Sequence, residues 1–244
     1  MLFEQRIYTL VPGALDAFWQ AQQDRGFELV QPILDRLVGY FSAESGPGDQ
    51  VVHLYRYDSY DDWVKRLHGL YGVAALEPYF TRVRSLMLAQ ENKFLALAPL
   101  PELAPCWSGG NDWHPADGPI FPLAQGEAAA MRDVVLDETT TVLRPGSLPA
   151  YWQAYREHGL HCRVESAGGL LGCFVSLVGR QHQVVHYRWH PDFAEREAFR
   201  CARLCDDNWQ AFLAAIAPLV VCNARKVLRP APIAELSPAF VRAR

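Results

Sequence analysis

The chain states one pattern twice, 133 residues apart. Glu4 to Trp19 reads EQRIYTLVPGALDAFW and Asp137 to Trp152 reads DETTTVLRPGSLPAYW, so Pro12-Gly13 falls on Pro145-Gly146 and Trp19 on Trp152. In the same register Gly39-Tyr40-Phe41 meets Gly172-Cys173-Phe174, and Gln50-Val51-Val52-His53 meets Gln183-Val184-Val185-His186. Toward the ends Lys93 meets Lys226 and Pro99 meets Pro232. Self-similarity in a single register decides architecture ahead of any local reading, and a period this long makes each copy a small domain and not a solenoid turn.

Each copy carries the same run of elements. Residues 4–10 alternate polar and β-forming apolar side chains, which predicts a strand, and Pro12-Gly13 marks a turn. A helix is expected over 15–34, strands over 38–44 and 50–57 about the Ser45-Gly46-Pro47-Gly48-Asp49 loop, a helix over 60–84 and a strand over 92–97. The order βαββαβ is the ferredoxin-like arrangement, so the fold class is α+β. A four-stranded antiparallel sheet with both helices on one face leaves its other face bare. Two copies in one chain cover each other, which predicts an intrachain α+β barrel of the kind otherwise made by a dimer. The expected domains are 1–99 and 131–244, the latter with a C-terminal tail. Residues 100–130 between them hold Pro101, Pro105, Pro115, Pro119 and Pro122 together with Trp107, Trp113, His114 and Phe121. That stretch reads as a linker that buries its aromatics, or as a lid.

Several function classes are excluded. The formal net charge is −4 and no Lys/Arg stripe occurs, so no nucleic-acid partner is expected. No apolar run reaches the length of a membrane span, and MLFEQRIYTL lacks the basic start and apolar core of a secretory signal, so the expected location is cytoplasmic. The six cysteines form no CxxC and none recurs between copies, which suggests neither a disulfide framework nor a zinc ribbon. No P-loop, GxGxxG, HExxH or GxSxG is present, so the chain is read as using no cofactor and no metal.

The candidate chemistry centres on His53 and His186, which share one position in the two copies. A neutral imidazole near pH 7 serves as a general base or a hydrogen-bonding group. If Val52 and Leu54 face the helices, parity directs His53 and Tyr55 to the opposite, interior face, together with Arg6 and Tyr8 of the first strand and Tyr40 and Glu44 of the second. The second copy has Thr141, Cys173 and Leu177 where the first has Tyr8, Tyr40 and Glu44, so the working pocket is expected in the first repeat. The competing readings are a satisfied interior histidine for His53 and a structural ion pair between Arg6 and Glu4 or Glu44.

Gln5 to Gly13, Gly39-Tyr40-Phe41, Gln50 to Tyr57 and Gln90-Glu91-Asn92-Lys93 together resemble the NIPSNAP family, within the dimeric α+β barrel superfamily. The second copy resembles it through Leu143 to Gly146, Glu157 to Leu160 and Gln183 to Trp189. The resemblance implies a fold more than a reaction; neighbouring families include cofactor-free oxygenases, cyclases, isomerases and haem-binding enzymes. Function has to come from a site. The reading favoured by the residues is a cofactor-independent enzyme acting on an aromatic or polyketide-like substrate by isomerisation, cyclisation or oxygenation. In it His53, Arg6 and Tyr8 are catalytic, and Tyr40, Glu44, Tyr55 and Trp113 bind substrate. The alternatives are a non-catalytic ligand-binding or adaptor protein and, behind that, haem binding through His53. The expected partner is a small-molecule substrate, with any homo-oligomer formed through surfaces outside the barrel.

Overall fold

The repeat survives in all four strands and in the longer helices of each copy. The structure, a computed structural model, describes residues 1–123, 126–165 and 168–242. The first copy contains β1 (Leu2–Leu10), α1 (Leu15–Arg25), α2 (Gln31–Leu34), β2 (Leu37–Ser45), β3 (Gln50–Tyr57), α3 (Tyr60–Tyr71), α4 (Glu77–Ser85) and β4 (Met87–Leu97). A short helix α5 (Glu127–Asp133) precedes the second copy: β5 (Val135–Leu143), α6 (Leu148–Glu157), β6 (Leu170–Val178), β7 (Gln183–His190), α7 (Phe193–Leu204), α8 (Asp207–Ile216) and β8 (Val220–Pro230). The expected helix over 15–34 is broken at Gly26, and that over 60–84 breaks after Tyr71 at Gly72. The fourth strand begins five residues earlier than alternation suggested, at Met87.

Within the first copy the strands are antiparallel in the order β4-β1-β3-β2; within the second they run β8-β5-β7-β6. Both orders are those of a ferredoxin-like unit, so the fold class is α+β with two such units in tandem. The repeated Pro-Gly turns have a common cause: Gly13 and Gly146 sit at φ 78° and 81°, where a side chain is disfavoured. The repeated Gly-x-Phe has another. A Cβ on Gly39 would lie 2.6 Å from the Phe41 ring, and one on Gly172 2.8 Å from the Phe174 ring, each beside an irregularity in strand pairing.

Two compact units result, with boundaries that correct the expected ones. The first comprises residues 1–95, 113–132 and 228–244, and the second comprises 96–112 and 133–227. The stretch 100–130 divides between these units. Its first part packs in the second unit, where Trp107 lies 6.0 Å from Phe174 and Ala98 N–H donates to the Cys173 carbonyl. Its described residues from Trp113 on pack in the first unit, where Ile120 and Phe121 N–H donate to the Ala239 carbonyl and Phe121 meets Phe240 at 5.6 Å. The C-terminal tail belongs there too: Ala231 N–H donates to the Tyr40 carbonyl, and Leu236 and Ala239 are fully buried.

The helix-facing core of the first unit joins Phe18, Trp19 and Ala21 of α1 to Leu37, Tyr40, Val51, Tyr55 and Tyr57 of the sheet. This reverses the expected orientation of β3. His53 lies on the Val51/Tyr55 side and meets Phe18 of α1 at 6.3 Å, so it faces the helices. The misreading has a physical reason. Phe3, Phe41, Val52 and Leu54 on the other face are equally buried, and apolarity cannot tell two buried faces of a sheet apart.

Candidate functional site

In the first unit the expected site residues are together but leave almost no room. His53 is 1% exposed, stacked on Tyr40 with ring centroids 3.6 Å apart and flanked by Tyr8 at 4.4 Å. Neither of its ring nitrogens has a hydrogen-bond partner among the described residues. Burial drives its pKa well below the usual histidine value, with Arg6 and Arg25 adding to the effect, so it is a neutral core ring. Arg6 forms a 2.8 Å ion pair with buried Glu4, which also accepts from Asn92 at 2.7 Å. The Arg6 guanidinium lies 4.7 Å over the Tyr55 ring, and Tyr55 and Tyr40 share a 2.9 Å hydroxyl contact. The cavity left beside Arg6, Tyr8, Tyr40 and Tyr55 is about 70 Å³, and His53 does not line it. Glu44 lies outside it, paired with Arg229 at 2.9 Å. Trp113 is also absent from its lining; it is buried, and its indole N–H donates to the Gly118 carbonyl at 2.7 Å.

The equivalent position in the second unit has room. A cavity of about 440 Å³ lies between the helix-facing side of β5, β7 and β8 and helices α6, α7 and α8. That volume falls in the range of small-molecule sites. The register explains why it exists. Thr139, Thr141 and Cys173 replace Arg6, Tyr8 and Tyr40, so the side chains that plug the first unit are short in the second. The loss of Tyr8 and Tyr40 here is the ground on which the sequence places the working pocket in the first repeat. What these small residues create is space.

The cavity floor comes from the strands, with Asp137, Thr139 and Thr141 on β5, His186 and Arg188 on β7, and Asn223 and Arg225 on β8. The roof is largely apolar: Tyr151 and Tyr155 of α6, Phe199 and Leu204 of α7, and Trp209, Phe212, Leu213 and Ile216 of α8. Spacing along α7 sets Arg196, Phe199 and Arg203 on one helix face. Asp192 and Asp206 accept from the Glu195 and Trp209 amides at 2.8 and 3.0 Å, fixing the starts of α7 and α8 and with them the positions of those walls.

Charge within the cavity is organised around Glu165. It pairs with Arg188 at 2.5 Å and Arg203 at 2.9 Å. Burial works to raise its pKa, but the two guanidinium groups outweigh burial and hold it below the usual glutamate value. Phe199 sits under both cations, with guanidinium carbons 4.6 and 5.2 Å from its centroid. Asp137 is taken by Arg196 at 2.8 Å. His186 is half-buried and stacks on Tyr155 at 5.8 Å, and its Nε2 has no partner among the described residues. Burial lowers its pKa to about 4 against the opposing pull of Glu165, so the ring is neutral at pH 7, and the unpartnered Nε2 is itself buried in the cavity wall. No group of three or more His, Cys, Asp or Glu side chains suited to a metal ion occurs among the described residues, and no helix among them is long and apolar enough to cross a membrane.

Comparison with known proteins follows this geometry. An uncharacterised NIPSNAP-like domain protein of Burkholderia xenovorans is 32% identical over 41% of this chain and 86% of its own, with a TM-score of 0.39. An anthrone oxidase-like protein covers 94% of this chain and 90% of its own at 12% identity and a TM-score of 0.56. A Fusobacterium nucleatum protein covers 94% and 92% at 9% identity and a TM-score of 0.59. The likeness to the last two is one of fold, the dimeric α+β barrel class. No match is found among curated proteins. The NIPSNAP family model matches residues 3–101 and again 139–235, so this chain belongs to the NIPSNAP family and carries two tandem copies of its domain.

Proposed function

We propose that the second-unit cavity binds a small aromatic or polyketide-like molecule and that His186 accepts a proton from it. One observation carries this reading: a cavity of about 440 Å³ lined by a neutral imidazole whose buried Nε2 has no partner among the described residues, where the equivalent space of the first unit is about 70 Å³. The role expected of His53 passes to its repeat counterpart.

Tyr155, Phe199, Trp209 and Phe212 offer a planar substrate stacking and apolar contact. Nε2 takes a proton from an acidic hydroxyl or from a C–H next to a carbonyl, leaving a phenolate or enolate. The imidazolium that forms is stabilised by Glu165, and the substrate anion by the guanidinium groups of Arg188 and Arg203 in the same walls. Return of the proton at another carbon completes an isomerisation or follows a ring closure; an oxygenation would take dioxygen as co-substrate at the carbanion.

The anthrone oxidase-like neighbour suggests anthrone as a probe, because its CH₂ group is acidic through its phenolic tautomer. Deuterium exchange at that carbon, followed by NMR in heavy water near neutrality, is expected to run faster with the protein than in buffer. His186→Ala should bring it back to the buffer rate and His53→Ala should not. No acceleration by the wild type, or full acceleration by His186→Ala, overturns the reading.

A further inference from the structure

The two repeats place an arginine at the same point of the sheet from different strands. In the first unit Arg6 on β1 is paired across the ladder with Asn92 on β4. In the second unit the counterparts are Thr139 on β5 and Arg225 on β8, and Arg225 Nε donates to the Thr139 hydroxyl at 3.4 Å. One step along, Asn223 donates to the Thr141 hydroxyl at 2.8 Å, where the first unit pairs Gln90 with Tyr8. The guanidinium has been kept and its strand exchanged.

Its carboxylate has not come with it. Arg6 is held by Glu4 at 2.8 Å. The counterpart of Glu4 is Asp137, whose carboxylate is already bound by Arg196 at 2.8 Å and lies 3.8 Å from His190. Glu165, the other carboxylate of the cavity, is shared by Arg188 and Arg203. Arg225 lines the cavity with no carboxylate in ion-pair range among the described residues. The cavity lining thus carries Arg188, Arg203 and Arg225 against Asp137 and Glu165, with Arg196 bound to Asp137, an excess of positive charge beneath a largely apolar roof. Arg225 is an exposed residue of β8; partial desolvation lowers its pKa, and although Asp137 opposes this, Arg203, Arg200 and Arg196 add to the lowering, as expected of a cation facing other cations.

We propose that Arg225 is the anion anchor of this cavity and that its ligand is a planar aromatic carboxylate, with the carboxylate on the Arg225 fork and the ring system under Phe199, Trp209 and Phe212. A carboxylate matches a guanidinium through two parallel hydrogen bonds, which a neutral amide of the same shape cannot reproduce. Thr139 orients the fork through its hydroxyl, and the apolar roof selects against small hydrophilic anions. This assignment rests on the second-unit cavity being a ligand site and adds the charge of the ligand to it.

The test uses two isosteric probes, 2-naphthoate and 2-naphthamide, titrated calorimetrically into the full chain. Wild type is expected to bind naphthoate about tenfold or more tightly than the amide, the size of a charge-assisted hydrogen bond. Arg225→Gln should bind both probes alike, at the wild-type affinity for the amide and with an unchanged melting temperature; Arg225→Lys should recover part of the preference. His186→Ala should keep the preference, which separates the anchor from the proton acceptor. Equal affinities in wild type overturn the anchor while leaving the cavity as a ligand site. A preference that survives Arg225→Gln overturns it as well, and no saturable binding of either probe overturns both readings.

Discussion

His53 stacks on Tyr40 with ring centroids 3.6 Å apart and planes 12° apart, an arrangement the second repeat abandons by putting Cys173 where Tyr40 stands. With Thr139 and Thr141 in place of Arg6 and Tyr8, that substitution separates a histidine that lines no cavity from one that does. Because both His53 nitrogens are buried without partners among the described residues, an apolar side chain of similar volume should be tolerated. His53→Leu is expected to melt within about 3 °C of wild type or above it. A much larger fall by calorimetry would show that the imidazole makes a polar contact the core needs.

The plugs themselves can be exchanged. Thr141→Tyr gives the second unit the side chain that fills the first, so ligand binding should weaken by more than tenfold while the fold and melting temperature hold. Tyr8→Thr opens the first unit instead and should cost about 2–5 kcal/mol by denaturant unfolding, as large-to-small changes in a core do. Undiminished binding by Thr141→Tyr contradicts a second-unit site.

Glu165 bears on stability. Replacing it with alanine leaves Arg188 buried and Arg203 half-buried without their shared carboxylate, and removing one partner of a buried ion pair costs about 3–5 kcal/mol. Urea unfolding of Glu165→Ala should show a loss of that order. A loss under about 1 kcal/mol would mean that solvent screens the pairs as it does at a surface.

Acid should destabilise the chain in a defined window. His186 and His190 are both lowered by burial to about 4, with Glu165 opposing at the first and Asp137 at the second, and burial holds His53 well below the usual histidine value. An unfolded histidine binds its proton near pH 6.5, so between about 6.5 and 4 the unfolded state holds more protons than the native one and stability falls with pH. Melting temperature should be flat above about pH 7 and drop from 6.5 downward. His186→Ala should make that drop shallower; an unchanged profile would show that His186 is protonated in the folded protein.

The architecture was legible because the repeat fixes it: Pro12-Gly13 with Pro145-Gly146 and Gly39 with Gly172 mark the same turns and bulges in both copies. The site was legible only in its residue types. His53, Arg6, Tyr8, Tyr40 and Tyr55 do come together, but against the helices, because a sheet buried on both faces gives no contrast by which parity can be oriented. The same alignment held the missing signal. A loss of side-chain volume at Thr139, Thr141 and Cys173, coupled to a gain of Arg225 opposite Thr139, marks an opened cavity, whereas reading those positions one by one marks only lost chemistry. Glu165 and Arg203 lie outside the matched motifs, and nothing in their local sequence announces that they meet.

A crystal structure of the chain soaked with 2-naphthoate tests the location of the site most directly. Density for the ring system is expected beneath Phe199 and Trp209, with its carboxylate on Arg225 and its edge within reach of His186. Ligand seated beside His53, or an empty second-unit cavity at saturating concentration, contradicts a site in the second repeat.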